Sequence, residues 1–322
     1  MSDSSSAVTY GVRLPNSGPF ADADSIWRMG EVAEKSGYDM LWVHDHISWP
    51  REQLTHFATG SIEACTDQDP NFFESLTTMA VLGGRLPRIG LGVVGLVMPL
   101  RDPRLLAKQA ATINQLTGSR LTLAVAIGNI PADFEALDVP YNRRGRLTND
   151  YLRALRAILD EPQPMSFESE SVSFSGTFLP APGPLPIWVT GSSEPGLLRA
   201  ATYGDGWMTV YVSTERYQEL VTRLEELRAE AGRSRMQHGY ETYVCVGRTR
   251  DEAISISERS LVDKFGDLEK GLSVCLVGDV SEVADRIEEY RAVGTDHFEL
   301  KFIGHDVDQL TGMAEQLAAR LY

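Results

Sequence analysis

The sequence predicts an α/β fold closed as a (β/α)8 TIM barrel, with insertions over the C-terminal face. Three observations carry that expectation. Eight short apolar or alternating runs recur along 322 residues, segments of helical spacing separate them, and some of the runs are apolar without a break. Unbroken apolar runs mark strands buried on both faces, and parallel neighbours need a crossover between them. A count of eight favours closure over an open sheet.

The elements follow in order. Tyr10, Val12 and Leu14 alternate in a first strand. Ile26, Met29 and Ala33 keep helical spacing, and Gly37 closes that helix. Residues 40–43 and 89–94 are the second and third strands. Asp102-Pro103 opens a helix, with Asp as N-cap and Pro in the first turn, and Leu106, Ala110, Ile113 and Leu116 form its stripe. Residues 121–127, 185–190, 206–210, 240–246 and 297–303 supply the remaining strands. Helices are expected over 143–159, 193–203, 214–231 and 307–321. Residues 1–322 form one domain, with 1–6 as a disordered start. Three long excursions interrupt the repeat, at 45–72, 160–184 and 249–280. The middle one carries Ser171-Val-Ser-Phe174 and Thr177-Phe178 around Gly176, the pattern of a small hairpin. Barrel insertions of this kind commonly cover the active site.

Composition narrows the function classes. A formal charge of −15 and a pI near 4.9, with no basic stripe, argue against nucleic acid as a partner. Cys65, Cys245 and Cys275 have neither metal nor redox spacing, which fits a reducing cytoplasm. The N-terminus lacks the charged and apolar regions of a signal peptide, and no apolar run nears the ~20 residues that span a bilayer. A cytoplasmic location with no membrane contact is expected.

Barrel chemistry is built from the loops that follow the strands. After strand two comes His44-Asp45-His46, then Trp49-Pro50. Metal binding is the weaker reading, because no third ligand cluster accompanies the two histidines. A proton donor or cofactor contact at His46, with Asp45 fixing its tautomer, stands beside a histidine merely satisfied within the loop. His44, nearer the strand, is read as structural. After strand three the run Gly95-Leu96-Val97-Met98-Pro99-Leu100 continues past the strand end. It suggests a surface for an aromatic ligand, with Met98 and Trp49 as pocket walls; ordinary core packing is the other reading. Gly191-Ser192-Ser193 opens a helix, so free N–H groups, the dipole and two hydroxyls could converge on a phosphate. The same residues also simply cap helices. No dinucleotide fingerprint, Walker A motif or nucleophile elbow is present.

Together these segments resemble the bacterial-luciferase-like superfamily of flavin monooxygenases and deazaflavin-dependent oxidoreductases. The resemblance runs from about residue 9 to 320. It rests on Gly37-Tyr-Asp-Met-Leu-Trp-Val-His-Asp-His46, Gly90-Leu-Gly92 through Pro99-Leu-Arg-Asp-Pro103, and Leu116-Thr-Gly-Ser-Arg-Leu121. Phe134 to Gly145, Pro186-Ile-Trp-Val-Thr-Gly191 and Tyr203-Gly-Asp-Gly-Trp207 add to it. It implies a flavin ring at the C-terminal mouth, buttressed by a cis peptide matching Gly95–Leu96. It also implies a phosphate site at Gly191, Ser192 and Ser193, and ring contact and proton donation at Asp45 and His46. Gly95, Leu96, Val97, Gly128 and Asn129 are the other expected cofactor contacts. One departure stands out. Many deazaflavin-type relatives carry Gly-Trp or Gly-Glu after strand four, where this chain has Gly128-Asn129-Ile130-Pro131, and an amide cannot serve as a general acid.

Three functions follow. The first is a monooxygenase using reduced FMN from a separate flavin reductase and O2 on a small, largely apolar or aromatic substrate. The second is hydride transfer with coenzyme F-420. The third is a non-catalytic flavin-binding scaffold. A homodimer is the expected assembly.

Overall fold

The structure is a computed structural model and describes residues 7–48 and 71–322. Trp49, Cys65 and residues 1–6 lie outside the described residues.

The eight expected strands are all present. They are β1 (Thr9–Arg13), β2 (Met40–His44), β3 (Gly90–Val97), β4 (Leu121–Ala126), β7 (Ile187–Thr190), β8 (Gly206–Val210), β9 (Gln237–Val246) and β11 (His297–Phe302). Each pairs in parallel with the next, and β11 returns to β1, so the sheet closes. The helices α1 (Ala23–Ser36), α3 (Pro103–Leu116), α5 (Arg144–Asp160), α6 (Glu194–Tyr203), α7 (Thr214–Glu230) and α11 (Val307–Leu321) match the periodic segments. Asp102 caps α3 through the Arg104 N–H, as its position next to Pro103 predicts.

Two further outer helices, α2 (Ser75–Arg85) and α10 (Val280–Ala292), complete the alternation. The Gly83-Gly84 pair dilutes the helical signal of α2. The start of α10 carried a legible one, a capping box between Asp279 and Glu282.

The excursions differ from one another. Segment 160–184 does form a hairpin, β5 (Met165–Glu168) against β6 (Ser173–Gly176), with Phe167 opposite Phe174. Its turn is at 169–172, so Gly176 ends the second strand instead of making the bend. The hairpin lies along α5, where Ser171 bonds Asp150 and Arg143 reaches Glu170. The chain then runs beside α3, whose Asn114 holds the carbonyls of Pro182 and Pro184. This insertion is therefore an outer layer beside the barrel; it does not cover the mouth. Segment 249–280 folds into α8 (Arg250–Phe265), α9 (Leu268–Val274) and a short strand β10 (Leu276–Gly278) that extends the sheet beside β9.

The main core fills the space between sheet and helices. A second layer, Trp42, Val94, Ala124, Trp188 and Met208, plugs the barrel. Trp42 donates to His297 Nε2 at 2.9 Å within that plug. Every group that could react with a ligand in the barrel must therefore sit above it, at the C-terminal ends of the strands. Among the described residues, no helix is long and apolar enough to cross a membrane.

Candidate active site at the barrel mouth

Beyond the end of β2, the next two carboxylate and imidazole groups take separate paths. Asp45 is buried. Its Oδ2 accepts the Val97 N–H at 2.9 Å and Arg101 Nε at 3.2 Å, while Oδ1 accepts Ser75 Oγ at 2.8 Å and a second Arg101 nitrogen. Arg101 also reaches Glu74 at 2.9 Å. Burial opposes its charge, but Asp45 and Glu74 outweigh that and hold its pKa above the ordinary value. Asp45 thus ties the ends of β2 and β3 together. The expected bond from Asp45 to His46 is not made.

His46 has a different partner. Its Nδ1 lies 2.6 Å from Asp133 Oδ2. Asp133 is 1% exposed, and its Oδ1 accepts the backbone N–H groups of Ile47 and Ser48, each at 2.8 Å. It stands on α4 (Pro131–Glu135), a single turn in the loop after β4 that begins on Pro131. In that loop the sequence resemblance points to Asn129 and not to Asp133. The missed signal was a carboxylate four residues further on, past a helix-starting proline. Phe72 packs edge-on against the His46 ring at 5.5 Å.

The end of β3 corrects a second expectation. Among the described residues the cis bonds are Gln163–Pro164 and Leu179–Pro180; Gly95–Leu96 is trans. The register against β4 slips between Val94 and Leu96, and Gly95 takes φ +70°. A left-handed glycine accommodates the extra residue of a bulge without a cis bond. Val97 then pairs with Ala126 and aims its N–H at Asp45. Leu96 and Met98 are buried in the main core, so the apolar run after β3 packs inward and Met98 is core.

Gly128 lies against Val97 and Phe134, and exposed Asn129 accepts the Tyr141 hydroxyl on its carbonyl at 3.3 Å. After β7, Gly191 takes φ +125°, with its N–H on Met208 O at 3.1 Å and its carbonyl held by Trp207 Nε1 at 2.7 Å. Ser192 and Ser193 are exposed. Ser193 is the N-cap of α6, yet its hydroxyl makes no capping bond, so the helix start is open. Exposed Glu194 is drawn aside by Arg223 at 2.7 Å.

The floor of the mouth is charged on one side. Arg13, fully buried, pairs with Glu299 and lies 2.9 Å from Glu241. Lys301 Nζ donates to Tyr243 at 3.3 Å. Burial, Arg13 and Lys301 push the His44 pKa well below its ordinary value. Burial likewise pushes Lys301 down to about 7. Sequence reasoning did not single out these charges, although polar residues inside doubly buried strands were visible as a pattern. On the neighbouring strands the charge gives way: Val94 stands beside His44 on β3, and Ala126 and Thr190 end β4 and β7. Among the described residues, no cluster of three or more His, Cys, Asp or Glu could hold a metal.

A closed parallel barrel with an oriented imidazole and an open helix start at its C-terminal mouth defines a TIM-barrel enzyme. The chain belongs to the luciferase-like monooxygenase family, which it matches over residues 4–269. It is 32% identical over 211 residues to an uncharacterised protein of Mycobacterium tuberculosis, covering 64% of this chain and 72% of that one. Two solved structures share the fold. One is an F420-dependent secondary alcohol dehydrogenase in complex with an F420-acetone adduct, with a TM-score of 0.81, 17% identity, and 98% and 100% of the two chains covered. The other is the oxygenating constituent of 3,6-diketocamphane monooxygenase from Pseudomonas putida with FMN, with a TM-score of 0.79, 16% identity, and 98% of each chain covered.

Proposed function

We propose that this chain is a flavin-dependent monooxygenase that uses reduced FMN from a separate reductase, with O2, on a small organic substrate. The observation that carries this reading is the His46 imidazole at the mouth, fixed at 2.6 Å by the buried Asp133. Family membership supports the oxidoreductase class.

The residues present fit such a cofactor. The open N-terminus of α6, with the Ser192 and Ser193 hydroxyls exposed above it, suits a phosphate. The backbone from Gly95 to Val97 and the Gly128-Asn129 turn form the flank on which a flat ring would lie. Bound there, the reduced flavin supplies the electrons that let one atom of O2 enter the substrate while the other leaves as water. The protein's part is positional and protic. Asp133 accepts Nδ1–H and orients the ring, and His46 would exchange protons with the reacting groups. Asp45 holds the bulge of β3 in place through the Val97 N–H. The cytoplasm as location and a homodimer as assembly belong to the same reading.

Coenzyme F-420 is the second reading, favoured by the likeness to the F420-dependent alcohol dehydrogenase. Equilibrium titration of the purified protein with FMN, reduced FMN and coenzyme F-420 separates the two. Tighter binding of reduced FMN is the expected result. A preference for F-420 moves the activity to hydride transfer, and failure of all three to bind overturns the flavin reading.

A further inference from the structure

We propose that the substrate is an organic acid whose carboxylate docks on the charged floor of the mouth, at Arg13 and His44. This inference deepens the reading of the mouth as an active site and rests on it. It departs from the apolar substrate that the sequence suggested.

Two buried side-chain nitrogens there lack hydrogen-bond partners. Arg13 is 1% exposed, and its Nη1 has no partner; the buried Nε2 of His44 has none either. The two residues stand on adjacent strands, β1 and β2, and the Arg13 charge acts directly on His44. Unsatisfied buried polar atoms are rare and costly in folded proteins, so a pair of them on the floor of a site points to a ligand acceptor. A neutral imidazole and a guanidinium both donate through N–H. The acceptor that satisfies two such donors at once is a carboxylate, which matches a guanidinium better than any neutral group.

The surrounding charge agrees in sign. Three basic groups, Arg13, Lys264 and Lys301, face Glu241 and Glu299; burial lowers both lysines and raises Glu299, so the lasting positive charge of the floor is Arg13. Lys264 reaches the floor from α8, so the 249–280 excursion brings a charge to the mouth. Next to this half, Val94, Ala126 and Thr190 on β3, β4 and β7 offer a small, largely apolar wall. Such a mouth sorts a two-ended ligand, with its flat or apolar part toward β3, β4 and β7 and its acid toward β1, β2 and β11.

The test uses the cofactor-free protein and a matched pair of probes, benzoate and benzamide, by isothermal titration calorimetry. Benzoate should bind at least about tenfold more tightly than benzamide, the scale of one charge-assisted hydrogen bond. His44→Gln should weaken benzoate about tenfold and leave benzamide unchanged. Because Arg13→Met alone strands Glu299, the double variant Arg13→Met with Glu299→Gln removes that pair together and should abolish the preference; circular dichroism checks that both proteins fold. Equal binding of the two probes, or benzoate binding untouched by His44→Gln, overturns the proposal. So does inorganic phosphate binding as tightly as benzoate, which would make the floor a site for any anion. A protein that binds benzoate but no flavin keeps the acid site and loses the flavin reading. One that binds a flavin and treats the two probes alike does the reverse.

Discussion

His46 and Asp133 come from loops after different strands, yet Nδ1 and Oδ2 lie 2.6 Å apart, and the second oxygen of Asp133 is pinned by the Ile47 and Ser48 amides. The carboxylate therefore fixes both the ring and the loop that carries it. Asp133→Asn should lower turnover by about 10- to 100-fold with little change in KM, because orientation of the imidazole is lost. His46→Asn should cost about 10²-fold or more, the scale of general acid–base catalysis. The double variant should be no slower than His46→Asn alone, since the two residues act as one unit. The rate of reoxidation of the reduced cofactor serves as the assay. Additive losses in the double variant would separate Asp133 from His46.

That pair also marks how far sequence reasoning reaches. Strand positions were legible to within two or three residues, because doubly buried strands write their burial as apolar runs. Helix α3 announced its start through Asp102-Pro103. The partner of His46 was not legible. Asp45 is its neighbour in sequence, but the chain turns after β2 and sends Asp45 inward to Arg101. Pairings between loops depend on how β2, β3 and β4 stagger, and no local pattern records that. The bulge at Gly95 is a similar case, since a glycine inside an apolar run fits a bulge, a cis bond or simple close packing equally well.

Asp45 should prove a stability residue first. It is a buried carboxylate held by Arg101, Ser75 and the Val97 N–H. Asp45→Asn leaves the Arg101 charge facing only Glu74, and breaking one side of a buried ion pair typically costs about 3–5 kcal/mol. Urea unfolding measures this directly. Arg101→Met added to Asp45→Asn should recover a good part of the loss, because the buried guanidinium is gone and Glu74, the charge left behind, is partly exposed. A single variant as stable as the parent would show that the pair contributes nothing.

The open start of α6 gives a binding prediction. Ser192→Asp or Ser193→Asp places a carboxylate where a phosphate would meet the helix dipole, beside Glu194, which already needs Arg223. FMN or F-420 affinity should fall by about tenfold or more at low salt, and less at high salt because the repulsion is screened. Ser192→Ala and Ser193→Ala should do far less. Fluorescence titration at two salt concentrations reads both effects; unchanged affinity in the Asp variants would move the phosphate elsewhere.

The last prediction concerns pH and follows from His297 in the barrel plug. Its Nε2 accepts Trp42 Nε1 at 2.9 Å, and its Nδ1 lies 2.8 Å from Thr9 Oγ1. A ring that accepts from an indole must be neutral, with its proton on Nδ1 directed at Thr9. Protonating Nε2 would set two donors against each other in a dry layer. Burial accordingly pushes the His297 pKa down to about 3. The sign follows from proton counting: between that value and the ordinary ~6.5, the unfolded chain binds a proton that the folded one does not. The contribution of His297 to stability is thus complete above ~6.5 and is lost as pH falls towards 3, by at most ~1.4 kcal/mol per pH unit. His297→Gln keeps an acceptor for Trp42 and a donor for Thr9 but does not titrate. Unfolding free energies measured in urea at several pH values should show the parent losing stability faster than the variant as pH falls from neutrality. The gap between them should narrow throughout that window. A gap that stays constant with pH would mean that His297 titrates in the folded protein as it does in the unfolded chain, and that the plug admits the charge.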